Sequence, residues 1–222
     1  LFSQDKFPPA LVYAPTSEPY KNAWAETVKA AEQYNEPGRF SAFIGYEWTS
    51  LVQGNNLHRV VVYRDGGDKG GQIVPYTTMP PQGSTNPRKL WEWLAQYERK
   101  TGGEVLAIAH NGNLSNGMMF PLHIQSDGKP LDAHYVRGRD KWEPLYEATQ
   151  IKGDGEAHPF LSPDDEFANY EHWDIGNLDG SQAKTDAMLA GEYAREGLKR
   201  GKKKKKKFGT NPYKFGMIGS TD

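Results

Sequence analysis

The chain has 222 residues, 36% of them hydrophobic and 12% aromatic, which suits one large packed domain and favours a packed globule over a disordered chain. It contains no cysteine, so disulfides and thiolate metal sites are excluded and any metal must be held by histidine and carboxylate. The formal charge is −1, but without the run Lys202 to Lys207 the balance is 21 basic against 28 acidic residues, or −7, which argues against a nucleic-acid footprint and suits cation binding.

Residues 1–16 are punctuated by Pro8, Pro9 and Pro15 and read as a loop entering from elsewhere. They lack the charged-then-apolar layout of a signal peptide, and no apolar run in the chain approaches the ~18 residues of a membrane span. Ser17 and Pro19 open a helix with Trp24, Val28 and Ala31 on one face, stopped by Glu36-Pro37-Gly38. The stretch Phe40 to Tyr63 then reads as two buried strands rich in aromatic and β-branched residues, broken at Gly54-Asn55-Asn56. Glu47 ends the first strand and His58 begins the second. A buried carboxylate and an imidazole on neighbouring strands must be paired or bound to a cation; a capped glutamate and a core histidine are the plainer alternative.

From Arg64 to Pro87 glycine and proline dominate, giving a long irregular connection. Asn86-Pro87 starts a second amphipathic helix with Leu90, Trp91, Leu94 and Tyr97 inward, ended by Gly102-Gly103. Glu104 to Ala109 is a buried strand leading to His110-Asn111-Gly112-Asn113, and strand, helix, strand in this order favours a parallel α/β arrangement. A weaker helix over Leu131 to Trp142, a strand over Pro144 to Gln150, a helix over Lys184 to Gly201 and a last strand from Tyr213 to Asp222 complete the chain.

Glu47, His58, His110 and Asp222 thus fall at strand ends. Carboxylates and imidazoles converging at one mouth of a sheet suit divalent Zn, Mn or Fe, and two or three such ions can clamp a phosphoryl group and activate water. Four unrelated polar strand ends would give the same spacing. Arg59 could reach a phosphate, although strand alternation turns it away from His58 and favours a structural ion pair. Asn111, Asn113 and Asn116 could contact substrate or simply form turns. His158 could line the pocket or serve its loop, whereas His123, His134 and His172 have no partner pattern.

The segments FIGYEW, NNLHRVVVY, AIAHNGNLSNG, EATQIKGDGEAHP and KFGMIGSTD resemble the DUF3604 family over about Phe40 to Asp222. That family's fold resembles the polymerase and histidinol phosphatase (PHP) domains. The resemblance implies an α/β fold, a distorted (β/α)7-type barrel incomplete in this span. It also implies a site of two or three divalent cations whose bound hydroxide attacks a small phosphorylated substrate. Glu47 would match the bridging glutamate, His58 and His110 the histidines after it, and Asp222 the aspartate of a closing Asp-x-His. Export to the periplasm or beyond is a further implication.

Two features depart from the family pattern. The His-x-His strand and a further Asp-His segment are missing and the closing motif is cut, which reads as an internal portion of a longer protein. Six successive lysines, Lys202 to Lys207, repel one another and cannot supply an apolar helix face. They read as a solvated run, or else as a polyanion patch. A non-catalytic binding module that keeps the fold without its metals is the alternative function, with tryptophans and tyrosines contacting glycans.

Overall fold

The computed structural model describes residues 8–221. Pro19 in the first turn and the apolar pair Trp24 and Val28 give helix α1 (Glu18–Tyr34). The aromatic run after it becomes a strand only at β1 (Gly45–Trp48), while Phe40 and Phe43 stay exposed. A two-residue ladder of β2 (Leu51–Val52) and β3 (Asn55–Asn56) reverses the chain, with Gln53 and Gly54 both at positive φ in the turn. Strand β4 (Arg59–Tyr63) then returns antiparallel to β1.

The long connection after β4 is packed down. It contains a short helix, α2 (Gly67–Gly70), whose Gly70 carbonyl accepts the Trp24 indole N–H at 3.1 Å. The Tyr20 hydroxyl donates to the Pro75 carbonyl at 3.1 Å, and the Tyr76 amide donates to the Tyr46 hydroxyl at 3.2 Å. Asn86 caps α3 (Pro87–Thr101) by accepting the Arg88 amide at 2.9 Å, and Gly102 ends it at φ 65°. There follow β5 (Val105–His110), α4 (Ala133–Trp142), β6 (Leu145–Gln150), β7 (Gly153–Asp154), α5 (Asp186–Leu189), α6 (Ala194–Phe208) and β8 (Gly216–Gly219).

The strands form one mixed sheet of six in the order β1-β4-β5-β6-β7, with β8 also paired to β6. β4 runs antiparallel to both of its neighbours, β1 and β5, whereas β6 pairs in parallel with β5 and with β8. The expected (β/α)7-type barrel is therefore wrong: among the described residues the sheet is open, and β1 pairs only with β4 instead of closing onto the far side. The reason lies in the connection between β4 and β5. A compact crossover helix would make these strands parallel, but the segment before α3 carries the chain back along the sheet, so β5 enters in the opposite direction.

Alternation gives the sheet two unlike faces. Trp48, Val61, Tyr63 and Ala107 pack under α1, α3 and α4 with Trp24, Leu90, Trp91, Leu94 and Trp142. On the other face Val60, Val62, Leu106 and Ile108 are only half-buried. A second, smaller core joins Leu57, Ala109 and Tyr146 to Phe120, Ala194 and Tyr213.

The lysine run also needs correction, because Lys202 to Lys207 are helical and complete α6. The inward stripe is Ala194, Gly197, Gly201 and Lys204, at helical spacing. A Cβ at Gly201 would lie 1.8 Å from Asn211 Oδ1, so a small residue is required there. Lys204 buries its stem and its ammonium donates to the Leu122 carbonyl, while the other five lysines project to solvent. Basic residues in the last turn also complement the helix dipole. None of the helices among the described residues is long and apolar enough to cross a membrane.

Candidate metal centre on the open face of the sheet

Strand direction explains why residues distant in sequence meet. β1 ends where β4 begins, and β5, antiparallel to β4, ends at the same rim. Glu47 pairs in register with Val60, and Val60 with Ile108, so the even-numbered positions of β4 and β5 share the face that carries Glu47. His58 immediately precedes β4 and His110 closes β5, both in that parity.

The result is one carboxylate oxygen facing two rings. Glu47 Oε1 lies 3.1 Å from His58 Nδ1 and 2.9 Å from His110 Nε2, and the rings meet edge to face at 5.6 Å. The side chains of His58 and His110 are 7% and 0% exposed, against 37% for Glu47. The carboxylate expected to be buried is therefore the solvent-facing member of the group. The other oxygen, Oε2, accepts the Thr49 hydroxyl at 2.8 Å. Behind the histidines, the Asn56 amide donates to the carbonyls of His110 and Asn111 at 2.8 and 3.1 Å and fixes the end of β5.

The electrostatics follow from this packing. Burial raises the Glu47 carboxyl, but hydrogen bonds from His110 and His58 outweigh it and hold the group well below the ordinary carboxylate range. Burial pushes His58 down against the pull of Glu47, and the charge of Lys152 pushes the same way. At neutral pH the arrangement is an ionised carboxylate with a neutral His58 imidazole, the protonation state a divalent cation needs.

The chemistry of the donors fits such an ion. With Nδ1–H given to Glu47, His58 presents a bare Nε2 that is buried and has no hydrogen-bond partner among the described residues. Glu47, His58 and His110 each offer a ligand atom within 4.8 Å of the others. The side-chain oxygens of Asn55, Asn56, Asn111 and Asn113 are likewise buried without partners among the described residues.

The other sequence candidates are placed differently. Asp222 lies outside the described residues. Arg59 sits on the opposite face, its side chain 1% exposed, with Nε 3.0 Å from Glu143 Oε1, so the structural ion pair accounts for it and it does not reach the cluster. Asn111 follows His110 at φ 50° and is buried. Asn113 donates to the carbonyls of Lys152 and Trp173, both at 3.0 Å, and so ties down neighbouring loops. His158 belongs to a separate group. Sequence reasoning missed Thr49, Lys152 and Glu147. Glu147 pairs in register with His110 on β6, and an acid within a strand that is otherwise mostly buried was its only signal.

No curated protein and no solved structure matches the chain. The family model described as protein of unknown function (DUF3604) matches residues 2–222, and the chain belongs to that family.

Proposed function

We propose that the protein is a metal-dependent phosphoester hydrolase related in its ligand chemistry to the PHP enzymes, with Glu47, His58 and His110 as ligands of a divalent Zn, Mn or Fe ion. The observation that carries this reading is the approach of two imidazole nitrogens to one solvent-facing carboxylate oxygen at 2.9 and 3.1 Å. An ion seated among these three atoms would replace the proton that His58 Nδ1 gives to Glu47, the ring taking its proton on Nε2 instead; tetrahedral zinc with bonds of about 2.0–2.1 Å spaces its ligand atoms by roughly 3.3 Å, close to these separations. A bound divalent ion supplies Lewis acidity, bringing the pKa of a coordinated water toward about 7 and offsetting charge that develops on phosphoryl oxygens.

The chain's own residues do the rest. Glu47 anchors the ion, and Thr49 fixes the carboxylate by holding Oε2. Asn56 holds the His110 backbone, so that the ring does not have to reorganise during turnover. The charge of Lys152 helps keep His58 neutral, the form that can ligate a cation. The half-buried apolar residues of the same face, Val60 and Ile108 among them, limit water around the cluster.

The test is metal content and turnover of p-nitrophenyl phosphate and its diester by the full chain. Glu47→Ala and His58→Ala are expected to lose bound metal and at least about 100-fold in turnover, since even indirect supports of a metal cost 10–100-fold. Full activity in both variants contradicts the proposal.

A further inference from the structure

A second group of ligand-type side chains lies outside that cluster. His158, His172 and Asp174 each offer a ligand atom within 4.8 Å of the others. His158 Nε2 lies 2.9 Å from Asp174 Oδ2, the two imidazole rings are 4.9 Å apart, and the Tyr193 ring packs against both. His172 gives its Nε2–H to the Ala168 carbonyl, which leaves Nδ1 bare; that atom is buried and has no hydrogen-bond partner among the described residues.

We propose that His158, His172 and Asp174 form a second cation site, for zinc or a similar divalent transition ion, which cross-links the loop after β7 to the segment before α5. Two imidazoles and one carboxylate are a borderline-soft, three-ligand set, and tetrahedral zinc completes such a set with water. The Asp174 side chain is 40% exposed, which gives the ion a way in. His158 must change tautomer: Nδ1 now accepts the Phe160 amide, and binding through Nε2 moves the ring proton to Nδ1 and turns that amide to solvent. Phe160 is exposed, so water can replace the lost bond.

The segment needs such a link. Phe160, Phe167, Tyr170, Trp173 and Ile175 are all exposed, while only the small Ala157 and Ala168 are buried with them. Little apolar burial holds this stretch, and ion pairs from Arg195 to Glu156 and Asp165 carry much of the tie. Where a core is too small to fix a segment, a bound metal contributes folding energy directly.

The experiment measures zinc retained by the full chain after equilibration and gel filtration. His172→Ala and, independently, Asp174→Asn are each expected to lose one zinc ion relative to wild type, while His123→Ala, an exposed histidine outside both groups, loses none. The comparison does not depend on the Glu47 cluster: Glu47→Ala is expected to keep the ion that His172→Ala loses. Zinc is also expected to slow proteolysis within 155–175 in wild type but not in His172→Ala. Equal zinc content in wild type, His172→Ala and Asp174→Asn overturns the proposal.

Discussion

The two faces of the sheet solve the problem of ionic side chains in opposite ways. Under the helices, Arg59 and Arg139 share Glu143, whose Oε1 also accepts the Trp91 indole N–H at 3.0 Å. Burial raises the Glu143 carboxyl, but the two guanidinium groups outweigh it and hold the carboxyl below its ordinary value. The Glu143 carboxylate is spoken for and water is excluded, with side-chain exposures of 1–2%. On the open face, Glu47 holds two histidines but stands in solvent, and His58 keeps a bare nitrogen. A sealed, paired charge group specifies packing; an open one with spare ligand atoms can bind something.

Mutation should separate the two faces cleanly. Glu143→Ala strands two buried guanidinium groups and is expected to cost about 3–5 kcal/mol, read from denaturant unfolding. On the same assay without metal, Glu47→Ala should cost no more than about 1 kcal/mol, because the Glu47 carboxylate itself stands in solvent and its interactions are screened there. A larger loss for Glu47 than for Glu143 would mean that the faces have been assigned the wrong way round.

Two carboxylates should give pH profiles of opposite sign. Glu192 is raised by burial to about 7 despite Lys184 at 2.6 Å, so desolvation outweighs the ion pair. Between an unfolded value of roughly 4.3 and that folded value the native state holds the extra proton. Its contribution is therefore complete below pH ~4.3 and lost as pH rises through about 7; Glu192→Gln should remove that decline. Glu47 is depressed instead, so its contribution is present above pH ~4.3 and lost as pH falls, and Glu47→Gln should flatten the acid side. The smallest effect is expected from Lys205→Ala on the solvent side of α6, within about 0.5 kcal/mol, against a measurable loss for the inward Lys204→Ala.

The parts legible in the sequence were those fixed by local patterning. The Asn86 cap, the Gly102 stop and the inward Leu90, Trp91, Leu94 and Tyr97 of α3 follow from short-range rules, and so does the separation of Arg59 from His58. The barrel expectation failed because strand direction depends on the path of residues 64–86, which no periodicity encodes. The lysine helix was misread because Gly197 and Gly201 supply its packing face without looking apolar. His172 shows no partner pattern in the sequence, and Asp174 was not singled out, because their meeting with His158 within a long loop is tertiary.

The most direct test of the central claim is anomalous scattering from a crystal of the full chain grown with zinc. The account predicts an ion within about 2.0–2.2 Å of a Glu47 carboxylate oxygen and of a ring nitrogen from each of His58 and His110. Intact Glu47–histidine hydrogen bonds with no anomalous peak beside them, at zinc concentrations that load other sites, would contradict it.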